Sequence, residues 1–207
     1  MNITNEDNME LMARYEDNYF DLAIVDPPYG IERFKAKDGG NSKKIKCFGD
    51  KAKKWNNTKP LQEYWDELFR VSKNQIVWGA NNFTLPESEY FCIWNKKQTL
   101  DNFATAEYAW VSMGLKKPAK MFDYSIHKHN HTDKIHPTEK PVKLYEWLLM
   151  KYAKEGDKIL DTHLGSGSIA IACHNLGYDL TACELDKEYY DKAMKRINQH
   201  KQQLTMF

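Results

Sequence analysis

One short stretch of the sequence combines the groups needed to hold a planar molecule that bears an amino group: Asp26-Pro27-Pro28-Tyr29. Two consecutive prolines fix φ and donate no backbone hydrogen bond, so the stretch is stiff and its carbonyl oxygens can accept one. The Asp26 carboxylate is a further acceptor, and the Tyr29 ring offers a flat face for stacking. Two acceptors directed at an –NH₂ group would draw its nitrogen out of conjugation and aim its lone pair at an electrophile.

A second stretch has the form of a nucleoside-binding turn. Residues 161–167 read Asp-Thr-His-Leu-Gly-Ser-Gly, between a predicted strand and a predicted helix, where small residues let the backbone approach a ligand. Glu184 follows the next predicted strand, where an acid binds ribose hydroxyls in nucleotide-binding folds. Because the turn is not Gly-x-Gly-x-x-Gly and Asp161 would repel a pyrophosphate, the two acids favour a cationic nucleoside. Each acid alone could instead be a helix cap.

Both stretches follow predicted strands, and the alternation of elements indicates an α/β fold with a mostly parallel sheet. The apolar run at residues 20–25 predicts a buried parallel strand that ends at Asp26. Further strands are predicted at residues 1–5, 75–79, 90–94, 107–112, 158–160 and 180–183, with 107–112 at the far side of the sheet. Helices are predicted at residues 7–15, 61–71, 142–152, 168–176 and 187–199. We expect residues 115–134 to be irregular and residues 204–207 to form a frayed tail.

A strongly basic segment directly follows the first stretch. Residues 33–59 hold ten lysines and arginines against two aspartates, although the whole chain has a formal net charge of only +1. This is the form expected of a phosphate-contacting loop, with a solvated lysine-rich loop as the alternative. Because no periodicity is visible, we predict a loop insertion at about residues 31–60. The candidate phosphate contacts are Arg33, Lys35, Lys43, Lys44, Lys46, Lys53 and Lys54.

The composition limits the class of protein. The chain has 207 residues, of which 42% are hydrophobic, and this suits one domain with a substantial core. No apolar run approaches the ~20 residues that span a bilayer, and the polar first residues predict no signal peptide. The 4 cysteines form no Cys-x-x-Cys pair, which favours free thiols in a reducing cytoplasm. His127, His129 and His131 alternate as metal ligands could, but without a nearby cysteine we interpret them as part of a polar loop.

Three motifs in order resemble those of the β-type, circularly permuted amino-group DNA methyltransferases. Residues 26–29 resemble the catalytic motif, residues 136–141 the His-Pro-Thr motif, and residues 161–167 the cofactor motif Asp-x-Phe-x-Gly-Ser-Gly. The resemblance implies a Rossmann-like methyltransferase fold, with helices on both faces of a twisted sheet and an antiparallel strand near one edge. It implies one domain over residues 1–207. The chain departs from the pattern at His163, where phenylalanine is usual, and in having no long target-recognition insert.

The resemblance also implies a role for each motif, with S-adenosylmethionine as cofactor and no metal. The target base would be held by Asp26, Pro27, Pro28 and Tyr29. The cofactor would be bound by Asp7, His136, Thr138, Lys140, Asp161, His163, Gly165, Ser166, Gly167 and Glu184. Within this set, Lys140 or Thr138 would meet the cofactor carboxylate, Glu184 its ribose and Asp7 its adenine.

The partner implied by the resemblance is DNA, whose target base must be flipped out of the duplex for chemistry at its amino group. The leading Asp26 favours adenine-N6, because permuted cytosine-N4 enzymes more often begin this motif with serine. Cytosine-N4 methylation and a catalytically idle subunit of a DNA-modification complex are the alternatives. We expect a bacterial or phage-encoded cytoplasmic protein of restriction-modification type, with a homodimer or partner subunit possible and no membrane association.

Overall fold

The computed structural model describes residues 1–30, 58–101, 103–129, 134–136 and 138–204. The predicted loop insertion therefore lies almost wholly outside the described residues, and its role stays a prediction. The same holds for each candidate phosphate contact: Arg33, Lys35, Lys43, Lys44, Lys46, Lys53 and Lys54.

The described residues form one sheet of eight strands in the order β1-β8-β7-β2-β3-β5-β4-β6. These strands are β1 (Asn2–Thr4), β2 (Leu22–Val25), β3 (Gln75–Trp78), β4 (Phe91–Asn95), β5 (Ala106–Val111), β6 (Lys120–Asp123), β7 (Lys158–Asp161) and β8 (Asp179–Cys183). Strand β5 runs antiparallel to both of its neighbours, and the other neighbouring pairs run parallel. The predicted mostly parallel α/β sheet is confirmed.

Helices cover both faces of this sheet. They are α1 (Asn8–Met12), α2 (Gln62–Val71), α3 (Ile126–His129), α4 (Val142–Tyr152), α5 (Ser168–Leu176) and α6 (Lys187–Leu204). Successive strand residues point to opposite faces, so Ile24 packs in a core with Leu148 while its neighbour Val25 packs in a second core with Leu68. Since both faces are covered, β2 and β3 are buried throughout, which explains why β2 reads as a continuous apolar run.

Three predictions for the second half of the chain were wrong. Strand β5 lies between β3 and β4, whereas residues 107–112 were expected at the far side. Residues 115–134, expected to be irregular, contain β6 and α3, and His127 lies in α3. Strand β6 is an edge strand with an exposed side, so it lacks the apolar run that marks a buried strand. Helix α3 is too short to show helical periodicity. Helix α6 also continues to Leu204, past its predicted end.

The carboxyl ends of the parallel strands lie at one edge of the sheet. Asp26 follows β2, Gly79 follows β3, Asp161 ends β7 and Glu184 follows β8. Because β5 runs the other way, its first residues lie at this same edge, where Glu107 pairs in register with Trp94 of β4. Ligands of open α/β sheets bind outside this edge.

Some expected or excluded features can be checked in the described ranges. Cys92, Cys173 and Cys183 are buried free thiols, as predicted. No helix of the described chain combines the length and apolar character that crossing a membrane requires. Within the same ranges, no three histidine, cysteine or carboxylate side chains cluster as metal ligands would.

Candidate active site

A cavity of about 920 Å³ opens along the carboxyl edge of the sheet, within the ~300–1,000 Å³ range of small-molecule sites. It brings together the catalytic and cofactor motifs, which lie far apart in the sequence. Nearly all of the predicted site residues lie on its wall: Asp7, Asp26, Pro27, Pro28, Tyr29, His136, Thr138, Lys140, His163, Gly165, Ser166 and Glu184.

Two predicted residues lie behind the wall and hold the glycine turn. Asp161 is 3% exposed, and its Oδ1 accepts a hydrogen bond from the backbone N–H of His163 at 3.0 Å. Gly167 caps α5 with a φ of 74°, and a Cβ at this position would lie 2.9 Å from Cδ1 of Ile197 in α6. The left-handed backbone favours glycine here, and an added Cβ would also displace the end of the Ile197 side chain.

The acids at the ends of β7 and β8 prepare one side of the cavity for a positively charged ligand. Glu184 accepts the backbone N–H of Gly165 at 2.9 Å, and burial raises the pKa of Glu184. Burial, with the charges of Asp26 and Glu184, also raises the pKa of Asp161 to about 7. Neither Asp161 nor Glu184 forms an ion pair with the described part of the chain. These residues therefore fit a cationic nucleoside cofactor, whose charge would lower both pKa values.

The acceptor carboxylate lies on the other side of the cavity with both oxygens engaged. Tyr29 donates its hydroxyl to Oδ1 of Asp26 at 2.5 Å, and Lys140 donates its ammonium to Oδ2. Burial and the charge of Asp26 raise the pKa of Tyr29 well above its usual value, so the phenol stays a donor. Lys140 is only 3% exposed and also lies 3.2 Å from Oε2 of Glu107. The ammonium of Lys140, which with Thr138 is a candidate for the cofactor carboxylate, bonds Asp26 in this structure.

The Tyr29 ring rests on a residue that must be glycine. Gly79 follows β3 with a φ of 65°, and a Cβ there would lie 2.2 Å from Cε1 of Tyr29. No side chain fits between the two, so the backbone of Gly79 forms the floor under the tyrosine ring. The ring of Phe83 meets Tyr29 edge-on with centroids 6.0 Å apart.

The His-Pro-Thr motif closes the cavity between these two sides. The His136 ring meets the Tyr189 ring of α6 edge-on, with centroids 4.6 Å apart. The backbone N–H of Thr138 donates to Nδ1 of His136 at 3.4 Å. Burial and the nearby charge of Lys140 lower the pKa of His136 to about 4, so the ring is neutral at pH 7. Glu139 pairs with Arg196 of α6, whose guanidinium also donates to the backbone oxygen of Ser166. This ion pair ties the motif to the glycine turn.

Comparison with known proteins assigns this chain to a family. Residues 73–195 match the family described as DNA methylase. The Type II methyltransferase M.HpaI of Haemophilus parainfluenzae is 34% identical over 236 aligned positions, which cover 92% of this chain and 72% of that protein. The chain belongs to the DNA methylase family. The Type II methyltransferase M2.DpnII of Streptococcus pneumoniae is 23% identical, with 95% and 89% of the two chains covered.

Solved structures agree on the fold of this DNA methylase. The M1.HpyAVI–SAM complex superposes with a TM-score of 0.61 at 20% identity, covering 95% of this chain and 98% of the other. The PvuII DNA methyltransferase, described as cytosine-N4-specific, gives 0.62 at 13% identity, with 98% and 91% covered. The matches confirm the Rossmann-like fold and the resemblance to amino-group DNA methyltransferases.

His163 departs from the motif pattern of this DNA methylase but keeps a neutral ring on the cavity wall. Burial lowers the pKa of His163 to about 3. The amide nitrogen of Asn8 lies 3.2 Å from Nε2, which must accept, so the proton of the neutral ring is assigned to Nδ1. Nδ1 then donates to the Thr162 hydroxyl at 2.9 Å, and Tyr64 bonds that hydroxyl at 2.7 Å. The ring is therefore held in place by hydrogen bonds.

Glu107 and Gly79 contact the predicted residues Lys140 and Tyr29 but were not themselves predicted to belong to the site. Glu107 was assigned only to a strand, and Gly79 only to a strand end. The available signals were a carboxylate at the start of an otherwise apolar strand and a glycine directly after one. Neither signal identifies the residue that is contacted, because the contacts with Lys140 and Tyr29 arise only when distant strands are brought together.

Proposed function

We propose that this DNA methylase transfers a methyl group from S-adenosylmethionine to the exocyclic N6 amino group of adenine in DNA. The observation that carries the proposal is the Asp26 carboxylate, held by Lys140 at the edge of a cavity whose other side carries Glu184, with Asp161 buried behind it. One side suits an amino group and the other suits a cation, so donor and acceptor would meet in one enclosed space.

The cofactor supplies a methyl group on a positively charged sulfur, an electrophile that needs no metal or covalent nucleophile. Gly165 would line its methionine end, with Asp161 and Gly167 holding the turn from behind, Glu184 would bind its ribose and Asp7 its adenine. Asp7 already caps α1 through the N–H of Met9 at 2.8 Å, which leaves a rigid backbone for this contact.

On the acceptor side, the chain would orient the amino nitrogen. Asp26, as an anion, would accept one N–H of the amino group, and the carbonyl oxygen of Pro27 would accept the other. Tyr29 would stack on the base. With both hydrogens held in this way, the lone pair of the nitrogen points away from the ring and towards the methyl donor, so positioning accounts for most of the rate.

DNA would reach this cavity by base flipping. The basic residues between 33 and 59 would contact the phosphates, since they follow the catalytic stretch directly in the sequence. Raising the salt concentration should therefore weaken DNA binding steeply while leaving cofactor binding unchanged.

The leading aspartate supports adenine over cytosine. Cytosine-N4 methylation is the second candidate, and the specific observation in its favour is the fold shared with the PvuII methyltransferase. An idle subunit is the third candidate, against which stands the complete set of Asp26, Tyr29 and the cavity.

Product identification separates these candidates. The protein is incubated with labelled S-adenosylmethionine and unmodified DNA, and the DNA is digested to nucleosides. Label in N6-methyldeoxyadenosine is the expected result. Label in N4-methyldeoxycytidine would replace adenine by cytosine, and cofactor binding without any transfer would identify an idle subunit.

A further inference from the structure

Four side chains of alternating charge form a row along the carboxyl edge of the sheet. Lys96, after β4, lies 2.5 Å from Oε1 of Glu107 in β5. Oε2 of Glu107 lies 3.2 Å from the ammonium of Lys140, which bonds Oδ2 of Asp26. The row runs from the end of β4, past the start of β5, to the catalytic carboxylate after β2.

The centre of this row is a buried ammonium that needs both of its carboxylates. Lys140 is 3% exposed, and its ammonium lies 5.4 Å from the ring centre of Trp78. Burial lowers the pKa of Lys140, but the charges of Asp26 and Glu107 outweigh burial and raise it above the usual value. Burial alone would raise the pKa of Glu107. The charges of Lys140 and Lys96 outweigh burial and lower this pKa to about 2. The ammonium therefore lies between two anions.

Among the described residues, Lys140 is the site residue that Glu107 contacts. Glu107 is absent from the cavity wall, and its side chain is 26% exposed at the start of β5. It is thus placed to contact neither the cofactor nor a base in the cavity. Its contact with the site is the Lys140 ammonium, which bonds Asp26, and its charge also helps to raise the pKa of Tyr29.

The orientation of Asp26 determines which oxygen can meet a substrate. Lys140 occupies Oδ2, whereas Oδ1 is bonded by the Tyr29 hydroxyl on the cavity wall, with which an incoming amino group would compete for the same oxygen. We propose that Glu107 is a positioning residue for methyl transfer, holding Lys140 so that Oδ1 of Asp26 is presented to the incoming amino group. This inference rests on the proposed function.

The charge of Glu107 is the property that matters. In Glu107→Gln the side chain keeps its shape, but Lys140 is left with Asp26 as its single anion and shifts towards it. The carboxylate then turns from its productive orientation. We expect kcat to fall about 10²-fold, the loss that a misplacement of ~1 Å produces. The KM for DNA and the affinity for S-adenosylmethionine should not change, because Glu107 touches neither.

Three variants test this inference by single-turnover transfer to DNA, cofactor titration and thermal unfolding. Glu107→Asp keeps the negative charge on a shorter side chain. Its transfer rate should lie between those of the wild type and Glu107→Gln. Glu146→Gln is the matched control, because Glu146 of α4 is also a buried, paired glutamate that is absent from the cavity wall. It is held by Lys143 at 2.7 Å and by Asn175 of α5 at 2.8 Å. It should transfer methyl groups at the wild-type rate.

The outcomes are distinct. A rate unchanged in Glu107→Gln would overturn the inference and leave the proposed function standing. A loss of cofactor affinity and folding together with rate would make Glu107 structural, and a slower Glu107→Asp than Glu107→Gln would show that shape matters more than charge. Either result overturns positioning by charge. No transfer by the wild-type protein would overturn the proposed function, and this inference with it.

Discussion

The two sides of the cavity differ in how their charges are balanced. On the acceptor side, Asp26 and Glu107 share the Lys140 ammonium, and each charge has its partner within the protein. On the cofactor side, Asp161 and Glu184 have raised pKa values and form no ion pair with the described residues. The acceptor side is thus organised before any ligand arrives, whereas the cofactor side is completed by the charge of its ligand.

Removal of Lys140 should have the largest effect on this comparison. Lys140→Met leaves two carboxylates facing each other without their cation, so we expect transfer to fall about 10²–10³-fold. Breaking the buried pair should also lower the free energy of unfolding by roughly 3–5 kcal/mol, measured by urea denaturation. Cofactor affinity should stay close to wild type. A large loss of cofactor affinity instead would support the contact between Lys140 and the cofactor carboxylate that the sequence motif implied.

Addition of one methyl group at Gly79 should disturb the acceptor side alone. In Gly79→Ala the new Cβ would lie 2.2 Å from the Tyr29 ring, so the ring must move, and we expect transfer to fall about 10²-fold. Gly156→Ala is the control, because Gly156 has a φ of 85° and no heavy atom within 4 Å of an added Cβ. It carries the backbone strain without the clash. Equal transfer by both variants would show that the floor under Tyr29 does not matter.

The cofactor side should respond to pH where the acceptor side does not. Asp161 has a raised pKa of about 7 in the ligand-free protein, so it binds a proton below that pH and must release it to hold a cation. Affinity for S-adenosylmethionine should therefore fall as the pH drops below 7, by up to about tenfold per pH unit. Calorimetric titration in buffers of different ionisation enthalpy measures the released proton. A flat profile for the wild type, or a steep one for Asp161→Asn, would contradict this account.

The smallest effect is expected at His163. His163→Phe restores the residue usual in the motif and removes the bonds to Thr162 and Asn8, each worth about 0.5–1.5 kcal/mol net. Because the ring is neutral, with a pKa of about 3, its loss should weaken cofactor binding less than tenfold and leave the pH profile unchanged. A change in the pH profile would show that His163 ionises near neutrality.

The same comparison explains what the sequence could predict. The glycine turn and the catalytic stretch are runs of adjacent residues at the ends of apolar strands, so they are visible without a structure, and both sides of the cavity were found. The pairing of Asp26 with Lys140 joins positions 114 residues apart, and Glu107 reaches them from an antiparallel strand. The pattern of apolar residues does not determine the order of strands along a sheet. For this reason the position of β5 was predicted wrongly and Glu107 was missed.

Edge elements account for the other errors in the fold. Strand β6 has one strand neighbour and exposed side chains, so its residues need not be apolar. Helix α3 is a single turn, shorter than any periodicity. In contrast, α4 and α5 were predicted with the bounds the structure gives, because both pack an apolar face on the central strands.

The most direct test of the central claim is methyl transfer by Asp26→Ala beside the wild type, with cofactor binding measured on both proteins. The account predicts that the wild type labels the N6 amino group of adenine in DNA, and that Asp26→Ala binds S-adenosylmethionine but transfers nothing. Transfer by Asp26→Ala at the wild-type rate would contradict the assignment of the catalytic site to the acceptor side of this cavity.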